Sequence, residues 1–153
     1  MLILIVTFLI CSSVSLNANE VFPFPDGNGL WGLIEIAGNG KEKVIISGKY
    51  HNLNMCGEKG LFPAKIDDKW GFINKKGKVI INFQYEEVNI FVKGLAAIKL
   101  NDKWGFINEK GKVIIDFQYE EVWDFDYRGI TIVIKDGREF CINKKGKEVV
   151  PCP

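Results

Sequence analysis

The chain has 153 residues, of which 47% are hydrophobic and 25% charged, with a formal net charge of +1. That length suits a single folded domain, and near-neutrality removes bulk electrostatics as a reason to expect nucleic acid or an acidic membrane as partner. Eleven Phe, four Tyr and four Trp point to a core assembled from rings, each able to bury roughly 150–250 Å².

Residues 1–10 form an unbroken apolar run, followed by Cys11 and a stretch of small and polar residues ending at Ala18. This reads as a secretory signal peptide over 1–18, and it is shorter than the ~20 apolar residues of a membrane span. Export to the periplasm, cell surface or medium is therefore expected, with no stable transmembrane span after cleavage and one β domain over 19–153. Cys56, Cys141 and Cys152 would remain. An oxidising compartment permits one bridge among them and leaves one thiol over. No Cys-x-x-Cys spacing is present, so no metal site is expected.

Pro23, Pro25 and Gly27 mark residues 20–28 as an edge strand or loop. Leu30-Trp31-Gly32-Leu33-Ile34 then opens a first unit, whose hairpin is long: thirteen positions separate Trp31 from Val44, against nine between Trp70 and Val79. Residues 69–88 recur at 103–122 with only Lys75/Glu109 and Asn82/Asp116 different. The units run approximately over 20–59, 60–93, 94–128 and 129–153, and the fourth carries Glu139-Phe140 in place of Trp-Gly. Divergent end units suit a stacked array, since each must face water on one side.

Each unit predicts three strands, in the third unit 95–100, 104–108 and 113–122. Asn101-Asp102 and Asp136-Gly137 supply tight turns. Alternation puts Trp104, Phe106 and Asn108 on one face of their strand. It also sets Val113, Ile115, Phe117 and Tyr119 opposite Ile114, Asp116 and Gln118. The expected fold is all-β: tandem three-stranded β-meander repeats, as an open twisted array or a propeller-like ring. Its ring core comprises Trp31, Trp70, Phe72, Phe83, Tyr85, Trp104, Phe106, Phe117 and Tyr119.

The pattern Gly94-Leu95-Ala96, Lys103-Trp104-Gly105-Phe106-Ile107-Asn108, Gly111-Lys112-Val113-Ile114-Ile115, Tyr119-Glu120-Glu121 and Phe125 resembles the WG-repeat (KWG-repeat) family of mostly bacterial proteins. The second and third units match closely, the first and fourth in degenerate form, together covering about residues 30–150. The resemblance implies a β-rich tandem array with a binding role. It brings no catalytic residues to carry over.

A residue echoed in every unit answers a need that recurs in every unit, whereas catalysis needs its groups once. Glu86-Glu87 and Glu120-Glu121 are thus architectural, because adjacent strand residues face opposite sides. His51, Trp123, Arg128 and Arg138 occur once but form no catalytic constellation. Residues 124–129 begin like a calcium loop, yet Arg128 and Lys135 occupy ligand places. No catalytic residue, metal ligand or cofactor is expected.

Two sets remain as candidate ligand-binding residues. Lys75, Lys76, Lys78, Lys110, Lys112, Lys144, Lys145 and Lys147 gather at successive second hairpins, which would form a lysine ladder for an anionic polymer if the units stack. Trp123 and Tyr127 lie outside the repeated hydrophobic set and could stack on a sugar or a partner protein. The expectation is a non-enzymatic binding module for a protein, a polysaccharide or an anionic envelope polymer. The alternative is an enzyme or enzyme accessory domain.

Overall fold

The computed structural model describes residues 19–55 and 58–152. The signal-peptide reading of 1–18, with Cys11, and the thiol of Cys56 lie outside the described residues.

Among the described residues fifteen strands form four antiparallel sheets in chain order. The first holds β1 (Glu20–Pro25), β2 (Trp31–Ile36) and β3 (Glu42–Tyr50). The second holds β4 (Asn52–Leu53), β5 (Leu61–Ile66), β6 (Lys69–Asn74) and β7 (Val79–Tyr85). The third holds β8 (Glu87–Val88), β9 (Leu95–Leu100), β10 (Lys103–Asn108) and β11 (Val113–Tyr119). The fourth holds β12 (Glu121–Val122), β13 (Ile130–Lys135), β14 (Arg138–Asn143) and β15 (Glu148–Val149). A 3₁₀ turn at Glu58–Gly60 precedes β5. The proline-bearing β1 sits at a sheet edge, where its missing donors cost no ladder bonds.

The meanders close through two-residue loops, as in Leu100 opposite Lys103 and Lys135 opposite Arg138. Asn101 and Asp102, and likewise Asp136 and Gly137, all have positive φ, which is what the primed hairpin turns demand.

Two details differ from the alternation of the sequence. The strand expected over 113–122 ends at Tyr119, and Glu121 and Val122 pair with Ile134 and Val133 of the next sheet. The switch happens because Glu120 donates its N–H to the carbonyl of Ile134 at 2.7 Å. Glu86 to Lys99 (3.0 Å) and His51 to Lys65 (2.9 Å) repeat that bond. Each later sheet therefore takes its first, short strand from the preceding unit's tail, making four strands where three were expected and interlocking neighbours.

The second difference is facial. Val113, Ile115, Phe117 and Tyr119 do not share one face. The register shifts twice, since Trp104 pairs with Tyr119, Phe106 with Ile115 and Ile107 with Val113. Bulges insert unpaired residues into one strand and re-aim the side chains that follow. In consequence Ile115 and Tyr119 pack forward against the fourth sheet, while Phe117 packs back against the second. The second unit repeats this, with Ile81 and Tyr85 forward and Val79 and Phe83 back.

Three hydrophobic clusters lie between the consecutive pairs of sheets. Among the described residues none joins the fourth sheet to the first. Trp70 borders a cluster holding Phe72, Ile81, Tyr85, Phe91, Ile98 and Ile107. Trp104 borders its positional counterpart: Phe106, Ile115, Tyr119, Phe125, Val133 and Ile142. Phe72 meets Phe91 at 4.9 Å and 57°, and Phe106 meets Phe125 at 4.9 Å and 54°, so one ring arrangement recurs. The first interface solves the same volume differently. Leu33 replaces the phenylalanine of Trp-Gly-Phe and Phe62 stands where Ala96 stands one unit on, which keeps the space filled. The Tyr50 hydroxyl is buried in this interface without a hydrogen-bond partner among the described residues, and burial raises its pKa.

Candidate functional site

The second hairpin of each of the last three units is built by one asparagine. Asn74 Oδ1 accepts from the N–H groups of Lys76 and Lys78, both at 3.0 Å, and its carbonyl accepts from Gly77 at 2.8 Å. Asn108 does the same for Lys110, Lys112 and Gly111, and Asn143 for Lys145, Lys147 and Gly146. With the backbone fixed by Asn and a left-handed Gly, the intervening positions are free to carry lysine. Lys75, Lys76, Lys78, Lys110, Lys112, Lys144, Lys145 and Lys147 are all exposed.

The hairpins also stack in register. A Cβ on Gly111 would lie 3.4 Å from Ile81, and one on Gly146 would lie 3.4 Å from Ile115. Gly77 meets Ile46 in the same manner. Each turn thus rests on the third strand of the unit before it, and the lysine clusters follow one another along a single rim. Among the described residues none of the eight lysines is in a salt bridge, and the four pairs that do form are elsewhere.

Two rim cations are less evident from the sequence. The first unit's turn, residues 37–41, has the same backbone bonds as the later ones: Gly40 N–H to Ala37 and Ala37 N–H to Lys41. Its extra length is in the ladder, where Glu35–Lys43 and Ile36–Glu42 extend the hairpin. Lys41 and Lys43 are exposed on this projecting arm. The signal that could have found them is the Gly40-Lys41 pair, which matches Gly77-Lys78.

At the opposite ends of the strands lies a row of clips. Glu86 accepts from the N–H groups of Asn101 at 3.0 Å and Asp102 at 3.1 Å, and Glu120 from Gly137 at 3.2 Å. His51 Nδ1 accepts from Asp67 N–H at 2.9 Å. His51 is thus a variant of a repeated position, with its Nδ1 committed to a backbone donor. The N–H of Asp102 does most to hold the Glu86 carboxyl below its ordinary value, helped by Asn101, Lys69 and Lys99 and opposed by desolvation. Lys99 pairs with Glu87 at 3.0 Å. Arg138 forms a two-pronged pair with Glu148 (3.1 and 2.8 Å) and lies 4.4 Å over the Phe140 ring, which fixes the last unit.

Trp123 is 46% exposed and Tyr127 81% exposed, so neither is core. Arg128 sits 5.2 Å over the Tyr127 ring and binds Asp126 through Nε at 2.8 Å. The loop carrying them ends at Gly129, where a Cβ would stand 3.2 Å from Lys144. The end of this loop therefore lies against Lys144 of the last lysine cluster. Asp126 Oδ1 accepts from Arg128 and Ile130 N–H groups at 2.9 and 3.0 Å, so this carboxylate organises its own loop. Among the described residues no three His, Cys, Asp or Glu side chains gather as a metal site. No described helix is long and apolar enough to cross a membrane.

A family model described as WG containing repeat matches residues 31–70, 70–104 and 104–138, successive spans beginning at Trp31, Trp70 and Trp104. The chain belongs to the WG-repeat family. The first two matched spans run from tryptophan to tryptophan, and each of the three crosses a sheet boundary in the interlocked fold. No curated protein and no solved structure matches the chain. Cys141 and Cys152 form a disulfide with Cα atoms 5.3 Å apart. Cys141 stands where the repeat has Phe106, so the bond ties the C-terminal tail to the outer face of the last sheet.

Proposed function

We propose that this WG-repeat chain is an exported, non-enzymatic binding module whose lysine rim takes a linear anionic polymer. The supporting observation is the glycine-on-isoleucine stacking, which sets one lysine cluster per sheet along one edge. Sheets pack about 10 Å apart, so an extended polyanion crossing the rim meets a new cluster at each step. Single exposed contacts of this kind are weak and screened over about 8–10 Å. Several on one chain add through effective concentration. The apolar leader at residues 1–18 and the Cys141–Cys152 disulfide support export, because such bonds persist in oxidising compartments.

The test is calorimetric titration with linear polyphosphate at low and high salt. Binding is expected at low salt, weakening as salt rises, and lost when the eight rim lysines become glutamine with the fold intact by circular dichroism. Equal binding at both salt concentrations, or in the glutamine variant, would rule the rim out.

A further inference from the structure

Five positions break the repeat around one cleft. Where the segment that builds the third sheet has Asn89, Ile90, Val92, Ala96 and Phe106, the segment that builds the fourth has Trp123, Asp124, Asp126, Thr131 and Cys141. All five line a cleft of ≈ 160 Å³ on the outer side of the last sheet, together with Arg128. An end sheet needs polar substitutions to meet water, but it has no need of a tryptophan 46% exposed.

The backbone of that tryptophan is held from both sides. Its N–H donates to the Ile132 carbonyl at 3.1 Å, and its own carbonyl accepts from Thr131 Oγ1 at 2.6 Å. Thr131 is 3% exposed and replaces Ala96 of the preceding repeat, and its buried hydroxyl makes its shorter bond to Trp123, with the Ile132 carbonyl at 3.3 Å. Polar groups beside it are oriented as well. Asp124 Oδ1 accepts from Asn89 Nδ2 at 3.0 Å. The Arg128 guanidinium is fixed by Asp126 Oδ2, with Nη2 at 2.7 Å.

We infer that this cleft binds one pyranose ring of a neutral oligosaccharide, with the Trp123 indole under the apolar face of the sugar and Asp124 and Arg128 taking its hydroxyls. An indole offers a flat apolar surface that a sugar's C–H face matches, and fixed charged groups at its border supply direction. Its size is below the several hundred Å³ of sites that enclose a whole ligand, so it takes one ring and leaves the rest of the chain outside. Asp126 neutralises Arg128, and Asp124 leaves the cleft with excess negative charge, which disfavours the polyanion proposed for the rim. Arg128 already occupies one face of Tyr127, so Trp123 is the stacking surface.

The experiment is titration of the full chain with cellohexaose, chitohexaose and mannohexaose, read by tryptophan fluorescence and calorimetry, on wild type and Trp123→Asn. Asparagine is what the preceding repeat carries at this place, as Asn89, so the variant keeps a side chain the fold already accommodates; thermal denaturation checks that it does. At least one hexasaccharide is expected to bind wild type, and Trp123→Asn to weaken it roughly tenfold or more with little change in Tm. The rim lysine-to-glutamine variant is expected to keep the sugar response, so the two sites fail separately. No response to any of the three sugars, an undiminished response in Trp123→Asn, or a response to tetramethylammonium alone would overturn the inference.

Discussion

The backbone carbonyl oxygen of Ile115 lies 2.7 Å from where a Cβ on Gly105 would stand, with the Phe117 N–H group at 3.0 Å. Ile81 and Gly71 repeat the relationship at 2.6 Å. The glycine of Trp-Gly is thus required by the bulged third strand, which presses its backbone onto the second. The fourth unit supplies the control. Its last strand pairs Cys141 with Val149 and Ile142 with Glu148 with no register shift, and there Phe140 replaces the glycine.

Gly105→Ala is accordingly expected to destabilise the fold by about 1–3 kcal/mol, the usual cost of overpacking. Glycine-to-alanine changes in strands ordinarily stabilise, by reducing the freedom of the unfolded chain. The sign measured by urea denaturation therefore decides: a gain in stability would mean that the bulge does not press on this position.

Glu86 ties the tail of one unit to the first turn of the next, and its carboxyl is held below the ordinary glutamate value. A folded-state pKa below the unfolded one contributes stability above the unfolded value and loses it as pH falls through the folded value. Wild type is expected to exceed Glu86→Gln in stability at neutral pH, with the gap closing as the solution is acidified below the glutamate range. A gap that is constant across that titration would show that the charge of Glu86 takes no part in the clip.

The Cys141–Cys152 bond closes a loop of sequence separation 11, for which chain entropy predicts a stabilisation of about 2–3 kcal/mol. In a stacked array each unit touches only its neighbours. Cys152→Ser should therefore raise amide hydrogen exchange in β13 and β14 while leaving β5 and β6 near wild-type rates. Uniform acceleration across all four sheets would contradict this nearest-neighbour organisation.

Much of the fold was legible because the same physical need is written several times. Trp70 and Trp104 with their phenylalanines, the Asn-to-Gly hairpins and the Asp136-Gly137 turn each carry a local signal that tertiary context reinforces. The bulges at Ile81 and Ile115 were not legible, because period-two alternation assumes that no residue is inserted. Nor was the departure of Glu121 and Val122 to the next sheet, since a strand running on and a strand changing partner have the same composition. His51 looked singular because residue identity hid a shared role: an imidazole nitrogen and a carboxylate both accept a turn's N–H. The rim lysines were visible as clusters, but their common edge depends on Gly111 resting on Ile81, a contact between units. Trp123 was visible as an exception; the cleft around it required Asp124, Thr131 and Cys141 to meet in space.

The rim is most directly tested by the salt dependence of polyphosphate affinity as its clusters are removed one at a time. Replacing Lys144, Lys145 and Lys147 by glutamine, then adding Lys110 and Lys112, then Lys75, Lys76 and Lys78, should flatten the slope of log affinity against log salt in successive steps, because each cluster displaces its own counterions. A slope that stays at the wild-type value through all three steps would contradict a polymer lying along the stacked hairpins.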